Sequence, residues 1–494
     1  MRLRPWLIIP LLLVAGVLIA FGLRDRFASK PTVHVLPVPV EDREIAWFHT
    51  STSFSAWEHF VTGVHRAARE MPGLEVDDSA AFLERSTLTP EVVLSWRGRP
   101  GKLRIRWYKL SSAQGVKQWL DALAERNPPP LAIIGGGSSD RARDLARDLD
   151  LRKDWKGQRP LLLMTTATAN EVYLEGDREP RKLTQVYPDR TFRFCFTNEQ
   201  MARAVTDFVW LMEDLRPSGR LPIEKGEEAF PVIFPVQWED DPYSVDLCDK
   251  FRRAVDRQTN HRHEQPFISR PEYSVGSFDR VNRAESRFVH LILGADELRL
   301  SAGQRSLLIM PTGPTPARRF IRALAGEAPL LGRHIVAVTG DSIGINHVYR
   351  DGAILWNMRD VPVPLVFFAH QNPIGWSDDL PPPTGTDEVL LFADLAKVIA
   401  TSVFTVDSGL VANADALQTR IRKQSLVTFD DDGNRADGEE YVVCVRPDIS
   451  AAGRISALAS LEVWRRLPGG AWKPMHPDRP LQAPYPTRAF KRTS

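Results

Sequence analysis

The chain has 494 residues, 43% hydrophobic and 26% charged, the balance of a globular protein rather than a disordered or fibrous one. Its 64 basic and 62 acidic residues leave a net charge of +2, which gives nucleic-acid binding no electrostatic footprint, so no nucleic-acid partner is expected. Three cysteines, Cys195, Cys248 and Cys444, lie far apart without metal-ligand spacing and read as buried small residues, although one disulfide stays open in an oxidising compartment.

The first element is residues 6–23 (WLIIPLLLVAGVLIAFGL), eighteen positions without a charge, preceded by Arg2 and Arg4 and closed by Arg24, Asp25 and Arg26. That length crosses a bilayer core, and the flanking charge ends it on both sides. Residues 1–30 are therefore expected to form an uncleaved N-terminal transmembrane anchor, a single pass that leaves the bulk of the chain periplasmic or extracytoplasmic. A cleaved secretory signal competes with this, but no clean small-x-small site and no lipid-accepting cysteine follows the run. A buried helix of a soluble fold would carry a polar face, which is absent here.

Residues 31–43 read as a linker, because Pro31, Pro37 and Pro39 oppose helix. Strands are predicted at 44–49, 102–110, 131–134, 160–164, 230–234, 289–293, 306–310, 334–338 and 440–445, and helices at 56–71, 111–126, 140–149, from Thr197, at 244–257 and at 387–401. Thr197 with Gln200 makes a capping box. This alternation predicts an α/β protein whose parallel sheets are covered by helices on both faces, and there are too many units for one sheet. Two doubly wound lobes fit, with ligands bound beyond the C-terminal ends of the strands.

Four loops follow such strands. Gly135-Gly136-Gly137-Ser138-Ser139 runs into the helix from Asp140, so glycines, hydroxyls and unpaired helix amides meet where a carboxylate or other small anion would sit. It has neither the phosphate-loop Lys-Ser/Thr nor dinucleotide spacing, and a serine-capped tight turn reads equally well. Thr165-Thr166-Ala167-Thr168 is expected to carry more hydroxyls to a helix start, where plain N-capping is the competing reading. Residues 237–243 (QWEDDPY) and Gly340-Asp341-Ser342 place acids and aromatics at two further strand ends. Acids there suit an ammonium, so the pairing of the four loops suits a zwitterion; helix N-terminal charge or a solvated turn is the simpler account of the acids.

At these residues the chain resembles the type I periplasmic solute-binding proteins, the superfamily of branched-chain amino-acid-binding proteins and receptor ligand-binding regions. AIIGGGSS and TTATANE are similar to that family's two ligand loops, residues 187–210 to its crossing into the second lobe, WEDDPYSVDLCDKFRRAV to its acidic Asp-Pro-Tyr-Gly turn, and FDDDGNRADG to a late hairpin. The resemblance implies two doubly wound parallel-sheet lobes joined by three crossings and hinged on a cleft: 44–200 with 343–420 as lobe 1, 201–342 with 421–480 as lobe 2, and 481–494 as an irregular tail. It implies that Ser139 and Thr168, beside Ser138, hold a ligand carboxylate, that Ala167 gives a backbone contact, and that Tyr243 and Asp341 hold an amino group. Trp57 lies near a covering aromatic, about one residue out of register. The implied partners are a small-molecule ligand and an ABC-type permease or a signalling partner, with no cofactor and no metal. Ser244 stands where glycine is usual; Gly136 and Gly137 open the first loop and Asp341 is shorter than the family's glutamate, and these two departures put a branched-chain ligand in doubt.

Two other function classes compete. Gly340-Asp341-Ser342-Ile343-Gly344 satisfies the nucleophile-elbow pattern of hydrolases, with His347, His370 and His476 downstream, but no Asp-x-x-His block closes the chain. An anchored sensor or interaction protein would keep the fold without a small ligand. His261, His263 and Glu264 lack metal-ligand spacing and read as loop, as do Pro381 to Pro383; the region from Trp472 to the end reads as irregular.

Overall fold

The computed structural model describes residues 33, 35–83, 88–112, 114–219, 232–262, 268–269, 273–274, 304–313, 317, 335–345, 363–374, 386–405, 409–449 and 455–475. The expected anchor at 6–23, the strand at 289–293, His263, Glu264, His347, the prolines at 381–383, His476 and the tail at 481–494 lie outside them.

Lobe 1 opens with β1 (Arg43–Thr50), α1 (Phe54–Glu70), β2 (Leu74–Asp77), β3 (Glu91–Trp96), β4 (Leu103–Leu110), α2 (Val116–Ala124), β5 (Ala132–Gly135), α3 (Ser139–Leu151) and β6 (Leu161–Met164). A short hairpin, β7 (Glu171–Val172) and β8 (Arg181–Lys182), precedes β9 (Thr191–Arg193). The sheet order is β2-β3-β4-β1-β5-β6-β9, parallel from β4 to β9, with β3 antiparallel to β4 and β2 to β3. Alternate residues of β1 feed opposite faces: Ile45 and Trp47 join one core, Ala46 and Phe48 the other. That is the period of two expected of a strand buried on both sides.

Lobe 2 begins at α4 (Asn198–Leu211), whose Thr197–Gln200 capping box is formed, and continues through β10 (Ser218–Gly219), β11 (Val232–Gln237), α5 (Pro242–Arg262), β12 (Ile268–Ser269), β13 (Tyr273–Ser274), β14 (Gln304–Ile309), β15 (Ile335–Val338) and β16 (Leu365–Ala369). The strands β11, β14, β15 and β16 pair in parallel in that order. The chain then supplies α6 (Thr386–Val403), β17 (Phe404–Thr405), β18 (Gly409–Leu410) and α7 (Ala414–Lys423), whose apolar residues pack into the lobe 1 core. Gly63 of α1 accepts this: a Cβ there would stand 2.7 Å from the Cβ of Phe392 and 2.8 Å from the carbonyl of Val389. Finally β19 (Tyr441–Ile449), β20 (Ile455–Arg466) and β21 (Trp472–Met475) extend the second sheet antiparallel from β16.

Two expectations are corrected here. The return to lobe 1 does not begin at residue 343, because Leu365–Ala369 is hydrogen-bonded between β15 and β19 of the second sheet, and the chain rejoins lobe 1 with α6. The segment at Trp472 is a strand rather than irregular, with the Trp472 ring 5.4 Å from that of Phe208. The three cysteines are buried, and none of them forms a disulfide among the described residues. The lobes are joined near residues 194–197, between β16 and α6, and between α7 and β19. The first and third of these run side by side: Arg193 N donates to Gly433 O (2.8 Å), and Gly433, with φ of +83°, has no room for a side chain, since a Cβ would lie 2.1 Å from the Thr191 carbonyl.

Candidate functional site

The first ligand-type loop is built as a close-contact turn. Gly136 has φ of +78°, and a Cβ on it would meet Ala142 at 2.7 Å. Ser138 is the N-cap of α3 but makes no side-chain cap bond, so the first-turn amides keep their donors. Ser139 is buried, and its Oγ accepts from the amide of Ala169 at 3.1 Å. The first and second loops are therefore in direct contact.

The second loop departs from expectation. No helix follows Thr165–Thr168; the chain runs into β7, so only the first loop brings a helix N-terminus. Its backbone is pinned instead by the crossing. Thr168 O accepts from Asn198 N (2.8 Å) and Arg193 Nη1 (3.2 Å), Ala169 O from Arg193 Nη2 (2.8 Å), and Ala167 O faces the Cys195 thiol. Ala167 and Thr168 are fully buried, and the Thr168 hydroxyl has no hydrogen-bond partner among the described residues.

Trp57 is not part of the cleft. It is 1% exposed, its indole donates to Ala81 O at 2.9 Å, and its ring lies 5.1–5.7 Å from those of Trp47, Phe60 and Trp107. The expected role in covering a ligand is withdrawn for this residue: it stands on the apolar stripe Trp57, Phe60, Val61, Val64 of α1, which faces the sheet.

On the lobe 2 side, Asp241 Oδ1 accepts from the Tyr243 amide (3.1 Å) at the start of α5, and Ser244 Oγ accepts from the Trp238 amide (2.9 Å). Burial pushes Asp241 up to about 6, with Asp140 of α3 adding to the rise from the opposite lobe. Tyr243 Oη accepts from the Ser342 amide (3.3 Å), and Gly340 is needed there because a Cβ would come within 2.7 Å of that phenol oxygen.

Asp341 is already partnered. Its Oδ2 lies 2.7 Å from Nε2 of His370, a residue 6% exposed. The Phe196 amide donates to His370 Nδ1 (3.3 Å), which leaves the proton on Nε2 to be donated to Asp341, and the His370 amide donates to Asp387 Oδ2 (3.1 Å). Burial, the largest influence, lowers the pKa of His370, but the hydrogen bond and charge of Asp341 and the charge of Asp387 outweigh it and the net direction is up. Ser342 spends its hydroxyl proton on the Thr312 carbonyl, and His370 bonds Asp341 rather than Ser342, so among the described residues the elbow serine is paired with no histidine.

The lobes also meet at a polar contact that the sequence reading missed. Asp246 of α5 accepts from the amides of Asn170 (2.8 Å) and Glu171 (3.2 Å) and from Asn198 Nδ2 (2.8 Å). Lys250 reaches Glu171 Oε2 at 2.9 Å and Asp246 at 3.6 Å. Burial pushes Asp246 up to about 6, against the pull of Lys250 and the three N–H donors. The i,i+4 Asp246–Lys250 spacing was the available signal.

No protein-family model and no curated protein matches the chain. Among solved structures it is similar to a leucine-binding protein of Thermotoga maritima (14% identity, 85% of this chain and 97% of that one, TM-score 0.50). It is also similar to the closed conformation of a leucine-, isoleucine-, valine-, threonine- and alanine-binding protein of Brucella ovis (13% identity, 88% and 95%, TM-score 0.50). At this identity the likeness is one of fold: the chain has the two-lobed type I periplasmic-binding-protein architecture, and the proteins that share it here are binding proteins.

Proposed function

We propose that the chain is an extracytoplasmic solute-binding protein that captures a small polar ligand between its lobes and delivers it to an ABC-type permease. Residues 6–23 would anchor it at the membrane; among the described residues no helix is long and apolar enough to span one. The observation that carries the reading is the meeting of two strand-end loops of lobe 1, joined by Ser139 and Ala169, with the first turns of α5 from lobe 2. In such folds ligands sit beyond strand C-termini. Ser138, Ser139, Ala167 and Thr168 would take the negative end of the ligand, with Tyr243 and Asp341 on the facing side. The test is a thermal-shift screen of the purified chain with amino acids and small carboxylates. A ligand that raises the melting temperature in proportion to its concentration supports the reading.

A second reading, an anchored sensor or interaction protein with no small ligand, is favoured by one observation. Asp341 and Asp246, two acids at the junction of the lobes, both accept hydrogen bonds from the protein itself. Silence across the same screen would select it.

A further inference from the structure

We propose that His49, at the C-terminal end of β1, is a ligand-binding residue that donates an uncharged N–H to a small carboxylate lacking an ammonium group. This rests on the reading of the cleft as a ligand site.

The geometry fixes the imidazole. The Thr50 amide donates to His49 Nδ1 at 3.1 Å, so in the neutral ring the proton stands on Nε2. Stacking on Trp47, at 4.9 Å and 16°, and a backbone carbonyl that accepts from the Trp107 indole (3.2 Å) hold the ring in place. Nε2 faces the triple-glycine turn: a Cβ on Gly137 would lie 2.7 Å from it. Gly137 is thus a glycine because the imidazole occupies the space a side chain would need. Nε2 has no hydrogen-bond partner among the described residues, and the ring is half-buried, so a donor left open to a ligand stands at the turn that leads into α3.

The ring is also kept neutral. Burial holds its pKa down at about 4, the nearby Arg141 pushes the same way, and Glu388 opposes. The imidazole then presents a neutral donor, rather than a cation, to the negative end of the ligand. Three acids on the facing side already accept from the protein: Asp341 is bound to His370, Asp241 to the Tyr243 amide, and Asp246 to the amides of Asn170 and Glu171. Each of these acids already spends part of its acceptor capacity on the protein, so it offers an ammonium less than an unpartnered acid would, whereas a carboxylate with an apolar body asks nothing of them.

The test uses the full chain in detergent and calorimetric titration with matched pairs, 4-methylpentanoate against leucine and 3-phenylpropanoate against phenylalanine. The expected result is tighter binding of the deaminated member of a pair. His49→Ala should weaken it at least about tenfold, and His49→Gln, which keeps an N–H, should recover most of the loss. Gly137→Ala should weaken it as well, by pushing the ring aside, with unliganded melting curves showing that each variant folds. Preference for the amino acids overturns the ligand class. Unchanged affinity in both His49→Ala and Gly137→Ala overturns the residue's role while leaving the cleft a binding site. Binding of no probe overturns this inference together with the transport reading.

Discussion

Asp341 and His370 are 2.7 Å apart, and their contact ties the loop after β15 to the segment through which the chain leaves lobe 2 for α6. His370 is at the same time bonded through Nδ1 to Phe196 of the first crossing and through its amide to Asp387 at the start of α6. An acid expected to face solvent and ligand is thus part of the junction between the lobes. Asp341→Ala leaves a buried imidazole N–H without an acceptor and is expected to cost about 1–3 kcal/mol of stability. Asp341→Asn keeps an acceptor and should cost less. Urea unfolding of both variants checks this; equal stability of Asp341→Ala and the parent would remove the contact from the account of the hinge.

Asp387 gives the pH dependence a sign. Burial raises its carboxyl to about 6, from an ordinary value near 3.8, although the His370 amide and ring pull it down. A raised carboxyl favours the protonated folded form. Its contribution is complete below the unfolded value and is lost as pH rises through about 6. Asp387→Asn, which mimics the protonated group, should remove this loss, so the melting temperature of the variant should fall less than that of the parent between pH 4 and 7. Parallel curves over that window would place the titration elsewhere.

The strands that were legible in sequence are those whose two faces are both buried. Ile45, Ala46, Trp47 and Phe48, or the run Leu161–Met164, announce burial without any partner being known. The capping box at Thr197 was legible because both of its bonds are local. Site identities resisted for the opposite reason. The partner of Asp341 lies 29 residues away, and nothing in the periodicity brings it near. Trp57 was placed by resemblance, but its own helical stripe with Phe60, Val61 and Val64 already pointed it at the core. The second loop resembles a helix start because Thr165 and Thr166 are good caps, yet the buried Arg193 takes the carbonyls of Thr168 and Ala169, and the chain goes on into β7.

Trp57→Ala follows from that placement. The indole is 1% exposed among Trp47, Phe60 and Trp107, so its loss should cost about 3–5 kcal/mol. Trp57→Phe should cost less and leave ligand affinity unchanged. Chemical denaturation and ligand titration of Trp57→Phe together decide the point: a large affinity loss at near-native stability would return the residue to the cleft.

Glu44 is the buried acid beneath the lobe 1 sheet. It is 2% exposed and accepts from Arg106 (2.7 Å), Arg126 (3.0 Å) and Tyr108 (2.9 Å), while Arg106 also donates to the carbonyl of Leu36. The cluster therefore fastens the segment before β1 to the sheet. Removing the acid takes from Arg126 its carboxylate partner and from Arg106 one of two, since Glu91 still accepts from Arg106 Nε (2.5 Å), and Glu44→Ala should cost about 1–3 kcal/mol. Proteolysis near residues 35–39 should accelerate in the variant; an unchanged cleavage rate would separate the ion cluster from the attachment of that segment.

Asp246 and Lys250 bear on lobe motion. Asp246 binds the amides of Asn170 and Glu171 from the other lobe, and Lys250 binds the Glu171 carboxylate, with both α5 side chains 4% exposed. These contacts favour the juxtaposed arrangement of the lobes. Two-lobed folds of this kind close around a hinge. Asp246→Ala leaves both amides of β7's approach to be satisfied by water, which an open form provides more readily than a closed one. Small-angle scattering should then report a larger radius of gyration for Asp246→Ala than for the parent, and Lys250→Met should shift it in the same direction by less, because the Asp246–amide bonds survive. A radius unchanged in both variants would mean that the lobes are held together by the crossings alone.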